Sequence, residues 1–254
     1  MVESIDWTII GPAFVAGLVV LSTHVPLGQE VLKRGIIFID LAIAQVAGLG
    51  VIAAYAMEWD PEGVEVQLAA VGAALLAALG LYWTERRWPR IQEPIIGSLF
   101  ILAATGGILL LAGNPHGSEH LKELLVGQIL WTTWPSLWPV AALYAVVLVL
   151  WFWLHPRSGG LLFYLAFAVV VTASVQIVGI YLVFASLIIP ALTTIGINRG
   201  NRLLAGYILG ALAYFIGILV SFWMDLPTGA VIVWSMAIVG LLAGFVISDK
   251  RQVT

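Results

Sequence analysis

The sequence predicts an all-α fold, a polytopic membrane bundle of eight or nine transmembrane helices. Three observations predict it. Of 254 residues, 61% are hydrophobic and only 10% are charged, where soluble domains average about 45–50% and about 25%. Apolar stretches near 20 residues long recur from end to end, the length a helix needs to cross the hydrocarbon core. A β-barrel would instead show alternating strands of about ten residues. The same composition, with a net charge of −3, excludes a soluble enzyme, a disordered chain and a nucleic-acid binder. No stretch of ordinary composition is long enough for an extramembrane domain, so 1–254 reads as one transmembrane domain. The absence of cysteine excludes disulfides, thiol catalysis and cysteine-ligated metal.

The spans are expected near 7–25, 35–57, 66–84, 94–112, 136–154, 203–223 and 229–247. The acidic start, Met1-Val-Glu-Ser-Ile-Asp-Trp7, lacks the basic residues and cleavage site of a signal peptide, so the first span is expected to be retained. Between Gly160 and Ile197 the apolar region is too long for one span and short for two. It reads as broken around 176–202, softly at Gln176 and Gly179 and firmly at Pro190.

Charge gives the sidedness. With the N-terminus outside and nine crossings, ten of the eleven basic residues share one face, leaving Lys122 opposite. Glu58, Asp60, Glu62, Glu65, Glu119, Glu123 and Asp225 lie in the other loops. The basic face, and with it the C-terminus, is therefore expected in the cytoplasm. Trp7, Trp59, Trp83, Trp88, Trp131, Trp134, Trp138 and Trp223 sit near span ends, where amphipathic rings prefer the interface.

Asp40 is the carboxylate expected inside an apolar span, about 9 Å along a helix from Arg34. A charge at that depth should face a cavity or a partner, which makes Asp40 a candidate for the substrate pathway and for a metal ligand. A protonated or backbone-bonded structural Asp is the alternative. Gln45 lies on the same helix about 140° round from Asp40. It is a second pathway candidate, with interhelical hydrogen bonding as its plainer role. His116-Gly-Ser-Glu119-His120 matches the inverted metallopeptidase signature H-x-x-E-H. Asn114-Pro115 before it and Gly117-Ser118 within it argue against the regular helix that chemistry needs, so a metal-collecting or plain solvated loop competes with a peptidase. No G-x-x-x-x-G-K-[ST] phosphate loop occurs, so ATP-driven transport would need a separate ATPase subunit.

Five stretches resemble the membrane subunits of bacterial ABC importers for zinc, manganese or iron. They are Pro26-Leu-Gly-Gln-Glu-Val-Leu-Lys-Arg-Gly35 with Asp40 six residues after Arg34, Glu93-Pro-Ile-Ile-Gly97, Leu124-Leu-Val-Gly-Gln-Ile-Leu130, Val178-Gly-Ile-Tyr-Leu-Val-Phe-Ala-Ser-Leu-Ile-Ile-Pro-Ala-Leu192 and Asp225-Leu-Pro-Thr-Gly229. The resemblance implies a permease without a cofactor of its own, carrying a divalent metal across a bacterial inner membrane. It implies a second permease copy, a cytosolic ATPase that hydrolyses ATP, and a periplasmic binding protein that delivers cargo. It also makes Pro190, Arg199 and Arg202 the candidate coupling element to the ATPase, against a plain structural turn. The chain departs from the family at Ala44, where the family places a histidine four residues after the Asp. A lone carboxylate is a harder ligand than a histidine site, so a same-fold permease for another cargo stays an alternative.

Overall fold

The structure is a computed structural model that describes residues 7–57, 59–60, 63–111, 122, 124–154 and 160–252. Among them, eight helices are long and apolar enough to cross a membrane. They are α1 (Trp7–Arg34), α2 (Ile39–Ala56), α3 (Val64–Arg87), α4 (Gln92–Leu111), α5 (Trp134–Leu154), α6 (Leu161–Thr193), α7 (Arg199–Met224) and α8 (Thr228–Gln252).

Helix ends fall where charge and glycine appear. α1 closes on Lys33 and Arg34 and then turns at Gly35, whose φ of 71° suits a residue without a Cβ. α3 carries Glu65 in its first turn and Arg86 and Arg87 in its last, the arrangement the helix dipole favours at both ends. The eight interfacial tryptophans expected from sequence are all exposed.

α6 is the axis of the bundle. It packs against α1, α2, α3, α5, α7 and α8. In its most apolar stretch 61% of residues are buried, against 22% in α4, α5 and α8, which leave broad apolar faces for lipid. Gly179, with φ 77° and ψ 163°, interrupts α6. The two arms, 161–178 and 180–193, fold back on each other. Ser174 and Ser186 both hydrogen-bond the ring of His24 on α1. In a straight helix those twelve positions would be about 18 Å apart. The other contacts agree: Phe163 meets Arg34 at the basic end of α1, and Ile195, just past the second arm, lines a cavity with Gln29 and Lys33 at that same end. At 14 residues the second arm is about 21 Å long, short of a full hydrocarbon crossing.

Two expectations are corrected. Pro190 does not break the span: it lies inside the second arm, one turn from its end, where its carbonyl accepts bonds from Thr194 N (3.2 Å) and Oγ1 (2.7 Å). Pro190 forgoes the i→i−4 bond to the Ser186 carbonyl without ending the arm, and the reversal belongs to Gly179. Asp40 is not deep within a span either. Because Gly35 ends α1 and α2 begins only at Ile39, Asp40 stands in the first turn of α2.

Candidate functional site

The start of α2 sits in a polar girdle at the basic end. Arg34 Nε donates to Glu30 (2.9 Å) and its Nη1 to Glu85 of α3 (3.1 Å), while its guanidinium lies 4.6 Å over the Phe163 ring. Glu93 Oε1, from α4, accepts the backbone N–H of Phe38 at 3.2 Å. Asp40, next in line, is only 1% exposed; among the described residues no side chain bonds its oxygens, and the backbone N–H groups of Asp40 and Leu41 in the same turn are the donors close to them. Glu93 Oε2 is buried and unpartnered too, and Glu93 lies near enough to act on Asp40 electrostatically. The first turn of a helix offers free N–H groups and a positive dipole end, which makes it the least costly place to bury a carboxylate. The same first turn meets the second arm of α6, where the rings of Phe38 and Phe184 stack at 6.5 Å. Gln45 is half-buried on α2. Ala44, where the family pattern has histidine, is fully buried.

A second polar centre is one that sequence reasoning left without a role. His24, 0% exposed in the middle of α1, uses both ring nitrogens, Nδ1 to Ser186 (2.6 Å) and Nε2 to Ser174 (2.9 Å). Ser186 Oγ donates to Val183 O at 3.0 Å, so it accepts the Nδ1 proton. Nε2 of a neutral imidazole then accepts from Ser174. Tyr144 Oη of α5 lies within hydrogen-bond reach of both the Ser174 hydroxyl and Val170 O, the latter at 3.1 Å. An unbroken run of polar contacts, Tyr144 to Ser174 to His24 to Ser186, thus ties α1, α5 and both arms of α6. Four polar residues inside four apolar segments were the available signal. Their convergence was not legible because the partners lie 150 and 162 positions from His24.

At the opposite end three of the sequence stretches meet. A Cβ on Gly127 would strike Val178, one on Gly179 would strike Gly127, and one on Gly229 would strike the carbonyl of Val126. The tip of the α6 reversal is therefore clamped backbone to backbone between the loop before α5 and the start of α8. Beside this junction a cavity of about 520 Å³ opens between α3, α5 and the first arm. Its polar lining is neutral: Gln67, Gln128, Thr132, Ser136, Thr172 and Gln176. Gln67 on α3, Ser136 on α5 and Gln176 on α6 are exposed.

The second arm ends at Thr193, and the chain turns through 194–198 into α7, whose first residue is Arg199. Arg202 Nη2 donates back to Ala191 O at 3.4 Å, joining α7 to the arm's last turn. His116, Glu119 and His120 lie outside the described residues. Among the described ones, no group of three or more His, Asp or Glu side chains is placed to hold a metal.

The sequence pattern of the ABC 3 transport family matches residues 6–158 and 154–247. A Haemophilus influenzae protein described as a probable iron transport system membrane protein is 28% identical over 245 residues, covering 88% of this chain and 84% of its own. The manganese transport system membrane protein MntC of Halalkalibacterium halodurans is 26% identical, with 89% and 83% covered. Among solved structures, PsaBC from Streptococcus pneumoniae in complex with Fab contains a chain of the same fold. Its TM-score is 0.72 at 21% identity, over 93% of this chain and 89% of that one.

Proposed function

The chain belongs to the ABC 3 transport family, and on that premise we propose that it is the permease of an importer for a divalent metal, manganese or iron in preference to zinc. As a member of that family it is a multi-pass membrane transport subunit, so the peptidase alternative is not carried further. In the proposed assembly two copies face each other across the pathway. A cytosolic ATPase engages the segment from Pro190 through Arg199 and Arg202, a binding protein delivers cargo at the opposite end, and the C-terminus is cytoplasmic.

The second arm of α6 is the observation that carries this reading. One end of it is clamped in the three-glycine junction, its flank stacks on the start of α2 beside Asp40, and its far end runs into the proposed coupling segment. A displacement of that segment by the ATPase would reach both the Asp40 region and the outer junction through one short rigid element. The cargo preference rests on ligand chemistry. Asp40 and Glu93 supply oxygens only, and Ala44 closes the histidine position, a set that suits manganese or ferrous iron better than zinc. Relatives described as iron and manganese transport proteins support the same choice.

The test is metal accumulation in a strain lacking this chain, measured for zinc, manganese and iron, together with purification of the tagged chain. A selective loss of manganese or iron uptake and an ATPase in the purified complex are expected. Uptake that follows a proton gradient with no ATPase partner would overturn the function. Loss of zinc uptake alone would overturn the cargo assignment.

A further inference from the structure

At the basic end, α1, α5 and α7 leave between them a cavity of about 490 Å³. Its body is aromatic and apolar, formed by Trp151, Phe152 and Leu203, and its polar groups are Gln29, Glu30, Lys33 and Arg202. Glu30 is already engaged, taking Arg34 Nε at 2.9 Å and Lys33 Nζ at 3.3 Å. Two donors are not engaged. Gln29 Nε2 and Arg202 Nε are both buried and have no hydrogen-bond partner among the described residues. Arg202 spends one bond on Ala191 O and has further N–H groups to give. Lys33, with 73% of its side chain exposed, stands at the rim.

Two buried donors, one on a guanidinium, specify an acceptor that carries negative charge. The aromatic wall specifies something more. Phe152 of that wall is 59% exposed near the end of a membrane-spanning helix, so the apolar side of the cavity is open to the surroundings of α5 at the basic end. A protein carboxylate arriving from the aqueous side would meet Lys33 first and leave the aromatic wall uncovered. A phosphate with acyl chains attached satisfies both halves of the site. Lys33 and Arg202 outnumber Glu30 in charge, which favours a headgroup with net negative charge over a zwitterion.

We propose that this cavity is a binding site for the phosphate of an anionic phospholipid, held by Arg202 and Gln29 with Lys33 at the rim and one acyl chain along Trp151, Phe152 and Leu203. Because Arg202 also holds the last turn of the second arm, the lipid fastens the α6–α7 connection to α1. The site does not depend on which cargo the protein carries.

Native mass spectrometry of the purified full-length chain, equilibrated with mixed phosphatidylglycerol and phosphatidylcholine micelles, tests it. One phosphatidylglycerol retained per chain is expected. Arg202→Gln and Gln29→Leu should each lower retention about fivefold, in line with the loss of one interfacial contact. Arg90→Gln, a charge change at the same end but outside the cavity, should leave retention as it is. Should Arg202→Gln fail to fold, Lys33→Gln and Gln29→Leu decide, and an unchanged preference for phosphatidylglycerol in both overturns the proposal. Displacement of the lipid by excess inorganic phosphate would make this a free-anion site and overturn it. So would normal lipid retention by Arg202→Gln in a chain that no longer purifies with its ATPase.

Discussion

His24 and Asp40 are both ionisable, both at most 1% exposed, and both set in helices built almost wholly from apolar residues, yet their surroundings are opposite. His24 has a hydroxyl on each ring nitrogen. Asp40, among the described residues, has no side-chain partner, only the backbone N–H groups of its own helix turn, Asp40 and Leu41, close by. In a membrane interior the first arrangement is how a chain fastens its own helices, since interhelical hydrogen bonds stand in for the hydrophobic effect that lipid cannot supply. The second leaves a buried carboxylate without a side-chain partner, the arrangement expected if, as proposed above, Asp40 serves cargo. On the proposed function, the difference is that between a centre that fastens helices and one that serves transport.

The largest effect on stability should come from the point that makes the His24 centre possible. Gly179→Ala puts a Cβ into the backbone of Gly127 at a φ and ψ open to glycine alone. Loss of at least about 4 kcal/mol is expected, read as collapse of the monodisperse peak in size-exclusion chromatography. A variant that elutes and melts like the parent would show that the arms need no reversal at that residue. His24→Leu comes next. It removes the shared partner of Ser174 and Ser186 and should cost about 2 kcal/mol, with His24→Gln recovering part of it, measured by thermal unfolding in detergent. Tyr144→Phe removes only the first hydroxyl of the chain, and about 0.6 kcal/mol is expected. If that hydrogen-bond chain is real, Tyr144→Phe and Ser174→Ala together should cost less than the sum of the two alone.

Sequence reasoning reached the helices and the presence of a break in one of them, but gave the wrong residue the greater weight. The spans were legible because apolar length is a local, one-dimensional property. The reversal of α6 was legible in part: the sequence marks a soft break at Gln176 and Gly179, but proline is the stronger breaker in principle and drew the firm one to Pro190. Only tertiary contact, with Gly127 and Gly229 crowding the tip, shows which residue bends. Asp40 was found as a residue and misplaced in depth, since Gly35 after Lys33-Arg34 marks where α1 ends, but the apolar Ile36-Ile37-Phe38 does not show that α2 begins only at Ile39. Gly127, Gly179 and Gly229 were each visible inside a family-like stretch. Their meeting at one point is a property of three dimensions alone, as is the path from His24 to Tyr144.

Asp40→Asn should have the smallest effect on stability and is the sharpest test of the contrast. The amide keeps the shape of the carboxylate, removes any charge, and leaves no side-chain partner stranded, while its Oδ1 can still accept from the backbone N–H groups of the same turn. The melting temperature is therefore expected to stay level or to rise, with a change within about 0.5 kcal/mol. Transport is expected to behave in the opposite way, with uptake in whole cells falling at least about tenfold, since the amide cannot offer a cation the charge it needs. His24→Gln gives the complementary pattern, a lower melting temperature with residual transport in proportion to the folded protein. If Asp40→Asn instead transports normally, or lowers the melting temperature as much as His24→Leu, the carboxylate is part of the scaffold and the distinction between the two centres fails.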